Sequence, residues 1–389
     1  MIRAVHLHNF KCFSRLDLKM ARFTLLAGLN GMGKSSVIQC LLLLRQSWLS
    51  FDLQSGRLAL SGPLAELGTG IDILFEGADE DVIGIGITAD TLDCAETKSI
   101  FRFAYDRDAD RLECIEPNEN LKLDFLEKFA QSMGWGGQYP FPVLRGFYYL
   151  AAERLGPRKT TALSESHARE LDLGPRGEYA LHILLEHGAQ IVLDENDPRV
   201  RGPAGHVLQD QVDSWLQEIS PGSHLTIEAF RRADAAVGGF SFDRAGDIRT
   251  RSFRTTNVGF GLSYALPVIL SLLLARNGGL VMIENPEAHM HPRGQTRLGQ
   301  LAARAAAAGV QVIVETHSDH FMDGARIDVR NGILKPEDAS FHYFERDRNA
   351  VRAINPSIDA EGRLDSWPAG FFDQHDENVV QLLVPRARG

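Results

Sequence analysis

One segment of this 389-residue chain restricts its fold more than any other: Gly28-Leu29-Asn30-Gly31-Met32-Gly33-Lys34-Ser35 fits GxxxxGK[ST] at every fixed position. The pattern works only between a strand and a helix, and both are written beside it. RFTLLAG at 22–28 is a short apolar run, and VIQCLLLLRQSWL after Ser36 is an apolar helix. The glycines let consecutive backbone N–H groups curl around phosphate oxygens with no Cβ in the way, and the helix start adds its positive end. Lys34 is placed to reach the β- and γ-phosphates, and the Ser35 hydroxyl to ligate Mg²⁺. Asn30, Gly31, Met32, Gly33, Lys34, Ser35 and Ser36 are therefore the expected ATP contacts of a phosphate-binding loop (P-loop).

A second constellation narrows the class. Leu280-Val281-Met282-Ile283-Glu284-Asn285-Pro286-Glu287 is an apolar strand ending in carboxylates, the form of a Walker B segment. Glu284 is expected to hold the metal shell beside Ser35. Thirty-three residues later the strand VIVET delivers His317, placed to reach a γ-phosphate; capping of the following turn is the plainer role for that histidine. A third piece, Asn257-Val258-Gly259-Phe260-Gly261-Leu262-Ser263, opens an apolar helix. Gly259, Gly261 and Ser263 there form a second glycine-rich helix start. One nucleotide has no evident use for two such sites in one chain. A pair of chains facing head to tail does, each offering its second site to the other's γ-phosphate. A simple capped helix start is the alternative.

Along the chain, 2–10 and 22–28 read as two strands around a polar turn, and 56–118 as β-rich. Helical periodicity dominates 120–220, in LKLDFLEKFAQSM, YALHILLEHG and QVDSWLQEI. Hairpin-like patterning returns over 224–254. GLSYALPVILSLLLA, then GLVMIEN, HPRGQTRLGQLAARAAAAG and QVIVETHS alternate helix, strand, helix, strand, which implies a parallel sheet covered by helices. The tail from 341 reads as less regular. The expected organisation is an α/β ATPase head with a mixed sheet and an antiparallel β portion, built from 1–119 and 224–389, with a helical insertion at 120–223.

Composition adds exclusions. A net charge of −10 argues against a phosphate-binding surface over the whole molecule. The one local cluster, Arg231, Arg232, Arg244, Arg249, Arg251 and Arg254, is either the solvated face of a hairpin or a DNA contact. Cys12, Cys40, Cys94 and Cys114 lack CxxC spacing, so neither a disulfide framework nor a zinc site is expected. No apolar run reaches the roughly 18 residues of a membrane span. The opening MIRAVHLHNFKCF lacks the features of a signal peptide, so a cytoplasmic protein without membrane contact is expected.

In this order and spacing the pieces resemble the ABC-type ATPase heads of the SMC, RecF and OLD families. HLHNFKCF resembles their opening strand and turn, GLNGMGKSS their GxNGxGKSS loop, IENPEAHMHP their IDEPExHLHP segment, and ETHSDHF their switch-histidine segment. NVGFGLSYALP stands in the place of the ABC signature helix, with Ser263 21 residues before Glu284. YYLAAERLGPR, GPRGEYA, ENPEAHMHPRGQ and WPAGFFDQ are similar to segments of small stand-alone bacterial ATPases associated with anti-phage defence, and this likeness runs from residue 1 to about 380. The resemblance implies an ATP- and Mg²⁺-dependent homodimer or higher oligomer serving an effector protein, commonly a nuclease, with any nucleic-acid contact indirect.

There are departures from the pattern. Glu284 stands where an aspartate is usual, and Asn285 where the catalytic glutamate would stand. Asparagine can orient a water but cannot take its proton. Either Glu287 substitutes, or hydrolysis is slow and ATP acts mainly as a clamp; Glu287 as a helix-capping acid is equally open. The signature lacks LSGGQ, so Gly259, Gly261 and Ser263 carry over by position alone. No heptad tract and no acidic metal cluster after the histidine segment are found, so coiled-coil arms and nuclease chemistry in this chain are not expected. A RecF-like clamp on duplex DNA, a transporter subunit and a nucleotide-gated binder with little turnover are the rival readings. Glu153, Arg154 and Arg158 face a nucleotide or partner, or make surface ion pairs; Trp367, Phe371 and Phe372 dock a partner or plug the chain's own core.

Overall fold

The computed structural model describes residues 1–90, 96–115, 146–202, 205–245, 248–347 and 350–383. Strands are numbered in chain order. A six-stranded sheet frames the site, running β17 (Ala350–Ile354), β16 (Ala339–Asp347), β3 (Phe23–Gly28), β15 (Gln311–Glu315), β14 (Leu280–Glu284), β8 (Phe147–Leu150). Every adjacent pair is parallel except β16–β17. The strands are apolar on both faces because both faces are covered. Leu26, Leu280, Met282, Ile313 and Phe344 point to one side; Leu25, Val281, Ile283, Val312, Val314 and Phe341 point to the other.

The first side meets the helix Lys34–Leu49 and a four-stranded antiparallel sheet beyond it, ordered β2 (Phe13–Lys19), β1 (Ile2–Phe10), β5 (Val82–Asp90), β6 (Glu96–Ala104). Packed between two sheets, that helix needs no polar stripe: Val37, Ile38 and the run Cys40 to Leu44 are all fully buried. Each of its four consecutive leucines contributes about 1.5–3 kcal/mol by burial. A short pair, β4 (Arg57–Ala59) with β7 (Arg111–Glu113), completes this half. The other side carries the helices Ala180–His187, Leu208–Ile219, Phe260–Leu274, Pro292–Ala307 and Asp319–Arg330. The last two cross where Gly299 and Gly324 meet; a Cβ on either would strike the Phe321 or Thr296 carbonyl. A hairpin of β10 (Ser223–Phe230) and β11 (Ala235–Arg244) is edged by β9 (Thr161–Ala162), β12 (Ile248–Arg249) and β13 (Phe253–Arg254).

Three findings differ from the sequence reading. The polar turn expected between the first two strands contains β2, which pairs along β1 from Phe10–Phe13 to Ala4–Lys19. Its run FSRLDLK buries only Phe13, Leu16 and Leu18, a pattern too sparse to stand out. The less regular tail supplies β16, which pairs with the P-loop strand from Ala339–Phe23 to Phe344–Gly28. The segment 120–223, expected as a helical insertion, also contributes β8, the edge strand beside β14. Its stretch LKLDFLEKFAQSM and Cys94 lie outside the described residues. The helices at 180–187, 208–219, 260–274 and 292–307 fall where periodicity placed them. Among the described residues no helix is long and apolar enough to cross a membrane.

Candidate functional site

The P-loop leaves β3 at Gly28 and enters its helix at Lys34. Gly28 has φ +141°, and a Cβ there would lie 2.5 Å from the Phe344 carbonyl oxygen; Gly33 has φ +82°, and a Cβ would meet the Cys12 sulfur and the Phe13 ring. Both positions demand glycine, one for β16 and one for the turn after β1. Asn30 and Gly31 lie exposed at the loop tip, Met32 is half-buried, and Ser36 is buried behind the helix start. The Lys34 ammonium donates to the Gly28 and Leu29 carbonyls, both at 2.9 Å. Burial lowers its pKa, and the charges of Glu315 and Glu287 oppose the shift. A cavity of about 410 Å³ opens here, bounded by Lys11, Cys12, Asn30, Gly33, Ser35 and Glu315 among others.

Glu284 ends β14 on the face of the sheet that the P-loop helix covers. Its carboxylate accepts from the Tyr149 hydroxyl at 3.0 Å and from the Ala152 N–H at 3.3 Å, both on the β8 side. Burial raises its pKa, partly offset by those two hydrogen bonds and by Arg154. Asn285 adopts φ +46°, a left-handed conformation that asparagine tolerates better than most residues. Its N–H donates to the Glu315 carbonyl at 2.8 Å, and its side-chain oxygen is buried without a hydrogen-bond partner. Glu287 faces the switch segment: it accepts from the Thr316 hydroxyl at 2.8 Å and the His317 N–H at 2.7 Å. It thereby fixes the turn that carries His317. The His317 ring is exposed, with its pKa lowered by partial desolvation and by the nearby Lys34 charge.

Two residues at this junction have roles that the sequence reading did not give them. Arg154, expected at the surface or against a ligand, is 2% exposed. Its guanidinium donates to the carbonyls of Ala151 at 3.0 Å and of Glu284 and Asn285, both at 2.6 Å, so it clamps the end of β14. Glu153 does make the surface ion pair, with Arg176 at 2.7 Å. Glu315, at the end of β15, accepts from the Ser35 hydroxyl at 3.0 Å and lies 4.0 Å from the Lys34 ammonium. Its second oxygen is buried without a hydrogen-bond partner. Burial first, and then the charges of Glu284 and Glu287, push its pKa up to about 7 against the opposing pull of Ser35 and Lys34. The available signal was a lone acid closing an apolar strand directly before THS.

The structure brings the P-loop, Glu284, Asn285, Glu287, Glu315 and His317 to one edge of the sheet. The start of the signature-like helix packs on the His289 turn, with Phe260 and Tyr264 against the His289 ring and Arg154 over Tyr264. Gly261 allows that helix to start against the His289 carbonyl, where a Cβ would lie 2.8 Å from the oxygen, while Gly259 has open space around it. The Ser263 hydroxyl points inward and is buried without a hydrogen-bond partner. The arginine cluster lies on the second hairpin and its flank: Arg231 pairs with Glu186 at 2.7 Å and Arg249 with Asp243 at 3.6 Å. Phe371 is fully buried against Tyr343, and Trp367 lies under the Arg326 guanidinium. Cys12 and Cys40 are free thiols. Among the described residues no group of three or more His, Cys, Asp or Glu side chains is placed to hold a metal ion.

Residues 146–323 match a family of AAA domains whose description names the AbiEii toxin and the Type IV TA system; residues 334–382 match a family of proteins of unknown function. Over an alignment 398 positions long the chain is 23% identical to the OLD nuclease of Thermus scotoductus, covering 94% of this chain and 69% of that one. Among solved structures it is similar to an Smc head bound to the C-terminal winged-helix domain of ScpA: TM-score 0.53, 12% identity, 92% of this chain and 98% of that one. It is also similar to the Pyrococcus furiosus Smc head domain with an extended coiled coil bound to the C-terminal domain of ScpA: TM-score 0.51, 14% identity, 98% and 99% covered. The resemblance read from short motifs thus extends to the fold, which is similar to that of the Smc heads, and the sequence is similar to an OLD nuclease and, over 146–323, to the AAA domain family.

Proposed function

We propose that this chain binds ATP with Mg²⁺, dimerises around it, and hydrolyses it slowly to control an effector protein, in our reading a nuclease of bacterial anti-phage defence. The observation that carries the proposal is the convergence of Lys34, Ser35, two strand-end carboxylates and His317 on one sheet edge beside a glycine-lined loop. Lys34 exchanges its two P-loop carbonyls for β- and γ-phosphate oxygens. Ser35 and a strand-end carboxylate hold the metal, which supplies charge neutralisation on the phosphates when bound. His317 senses the γ-phosphate from a turn fixed by Glu287. With Asn285 in place of a base, water is oriented more than deprotonated, so turnover is slow.

In the dimer the helix start at Gly259 and Gly261 is offered to the γ-phosphate of the second copy, and Ser263 joins after rotation about its χ1. The known heads that bind ScpA, and the nuclease among the relatives, support a partner read-out of this state. Direct contact with nucleic acid is the second reading. The arginine-bearing hairpin favours it, and a steep salt dependence of duplex binding would reveal it.

The test is steady-state ATP hydrolysis and oligomeric mass, with and without ATP, for the wild type and Lys34→Ala. Turnover and ATP-driven dimerisation, both lost in Lys34→Ala, support the reading. A chain that neither binds ATP nor changes mass sinks it. Cleavage of DNA or RNA by the chain alone, tested with Mg²⁺ and Mn²⁺, would move the nuclease from partner to this protein.

A further inference from the structure

Strand order makes the metal side of the site unequal. Strand β15 lies between the P-loop strand β3 and the Walker-type strand β14, with Leu26, Glu315 and Glu284 in register across the three. Neighbouring strands are about 4.8 Å apart, so a carboxylate at the end of β15 starts one strand nearer to the P-loop than one at the end of β14. Side-chain alternation decides the rest. Ile313, and therefore Glu315 two residues on, points to the face covered by the P-loop helix, where Ser35 stands. Glu284 shares that face, but its two oxygens are turned to the Tyr149 hydroxyl and the Ala152 N–H on the far side of β14.

We propose that Glu315, and not Glu284, is the carboxylate that holds the divalent cation of the bound nucleotide together with the Ser35 hydroxyl. The assignment rests on the ATP-site reading given above and names a residue within it. Glu315 already touches Ser35 at 3.0 Å. Its other oxygen is buried without a hydrogen-bond partner at the wall of the P-loop cavity. A buried carboxylate oxygen without a donor is costly, and a cation offers it a partner that no described side chain supplies. The donor set of one hydroxyl, one carboxylate, phosphate oxygens and waters suits Mg²⁺, which keeps several waters and takes few protein ligands. Glu284 then ties β14 to the edge strand β8 through Tyr149.

The experiment compares wild type, Glu315→Gln, Glu315→Asp and Glu284→Gln, each verified as folded by its thermal melt. Affinity for a non-hydrolysable ATP analogue is measured with Mg²⁺ and with EDTA, and Mn²⁺ binding to the analogue-loaded protein by electron paramagnetic resonance. In Glu315→Gln, affinity in EDTA should equal or exceed wild type, because a negative charge beside the phosphates is gone. The gain from Mg²⁺ should vanish, and Mn²⁺ should bind at least about tenfold more weakly. Glu315→Asp should keep part of the gain, and Glu284→Gln should hold Mn²⁺ within about threefold of wild type.

Loss of Mn²⁺ affinity in Glu284→Gln with Glu315→Gln unaffected overturns the assignment. So does loss of analogue binding in EDTA by Glu315→Gln, which would make Glu315 a prop of the loop and not a metal ligand. A wild type that binds no analogue in either buffer overturns the ATP-site reading itself and this inference with it.

Discussion

Arg154 carries the most quantitative expectation. Its guanidinium donates to three carbonyls, two of them consecutive at the end of β14, from a position that is 2% exposed. A hydrogen bond involving a charged group contributes about 1.5–3 kcal/mol, so three set a ceiling of about 5–9 kcal/mol. Burying the cation opposes this: its pKa falls to about 10, chiefly through desolvation. At roughly 1.4 kcal/mol per unit that is about 3 kcal/mol against the ordinary guanidinium. Arg154→Met fills similar volume and leaves the Glu284 and Asn285 carbonyls without donors, for a net loss of about 2–6 kcal/mol. In equilibrium urea unfolding, with a slope of about 3 kcal/mol per molar for a chain of this size, the midpoint should drop by about 0.7–2 M. Arg154→Lys should recover less than half, because an ammonium cannot span two adjacent carbonyls as a planar fork does. A midpoint for Arg154→Met within about 0.2 M of wild type would refute the clamp and mean that water serves those carbonyls equally well.

Gly33→Ala should abolish ATP-analogue binding, since the added Cβ meets Cys12 and Phe13 at a left-handed φ; calorimetric titration measures it, and retained affinity would show that the loop moves aside freely. Asn285→Gly should unfold within about 0.5 kcal/mol of wild type, while Asn285→Glu, forced to φ +46°, should lose about 1–2 kcal/mol, so an engineered base at 285 comes with strain that a urea titration detects. Leu42→Ala, in the fully enclosed P-loop helix, should cost about 2–5 kcal/mol by the same assay. His342 is buried, its Nε2 hydrogen-bonded to the Lys19 carbonyl and its Nδ1 without a hydrogen-bond partner, and desolvation lowers its pKa to about 4 from 6.5. Between those values the unfolded chain takes up a proton that the folded chain refuses, so stability is full above about pH 6.5 and falls by about 3 kcal/mol as the pH drops to about 4. The raised pKa of Glu315 acts with the opposite sign but is common to both proteins, so the difference between wild type and His342→Gln should shrink over that window; a constant difference refutes it.

The sequence made legible whatever rests on local pattern. The P-loop with its flanking strand and helix, the β14 strand, and the helices opened by Pro292 and Phe260 are periodic or carry fixed glycines, and they fold where expected. What stayed hidden depends on distant partners. Strand β16 reads as an ordinary tail until it lies along β3, and FYYL at 147–150 becomes a strand only because β14 offers it an edge. Arg154 was misplaced because arginine is usually exposed, and nothing nearby in sequence announces three carbonyls to receive it. Glu315 differs. Its position at the end of an apolar strand was readable, but the strand order that brings it to Ser35 was not.

That strand order also has a consequence for synthesis. The P-loop strand is complete by residue 28, yet its two neighbours in the sheet are β15, ending at Glu315, and β16, ending at Asp347. At roughly 5–20 residues per second the ribosome takes on the order of 15 to 60 seconds to deliver them. Throughout that interval an extended apolar strand and its leucine-rich helix wait without their sheet, a natural client for a chaperone. In the proposed ATP-bound state, nucleotide can act as a ligand for folding only after β15 and β16 have joined the P-loop strand.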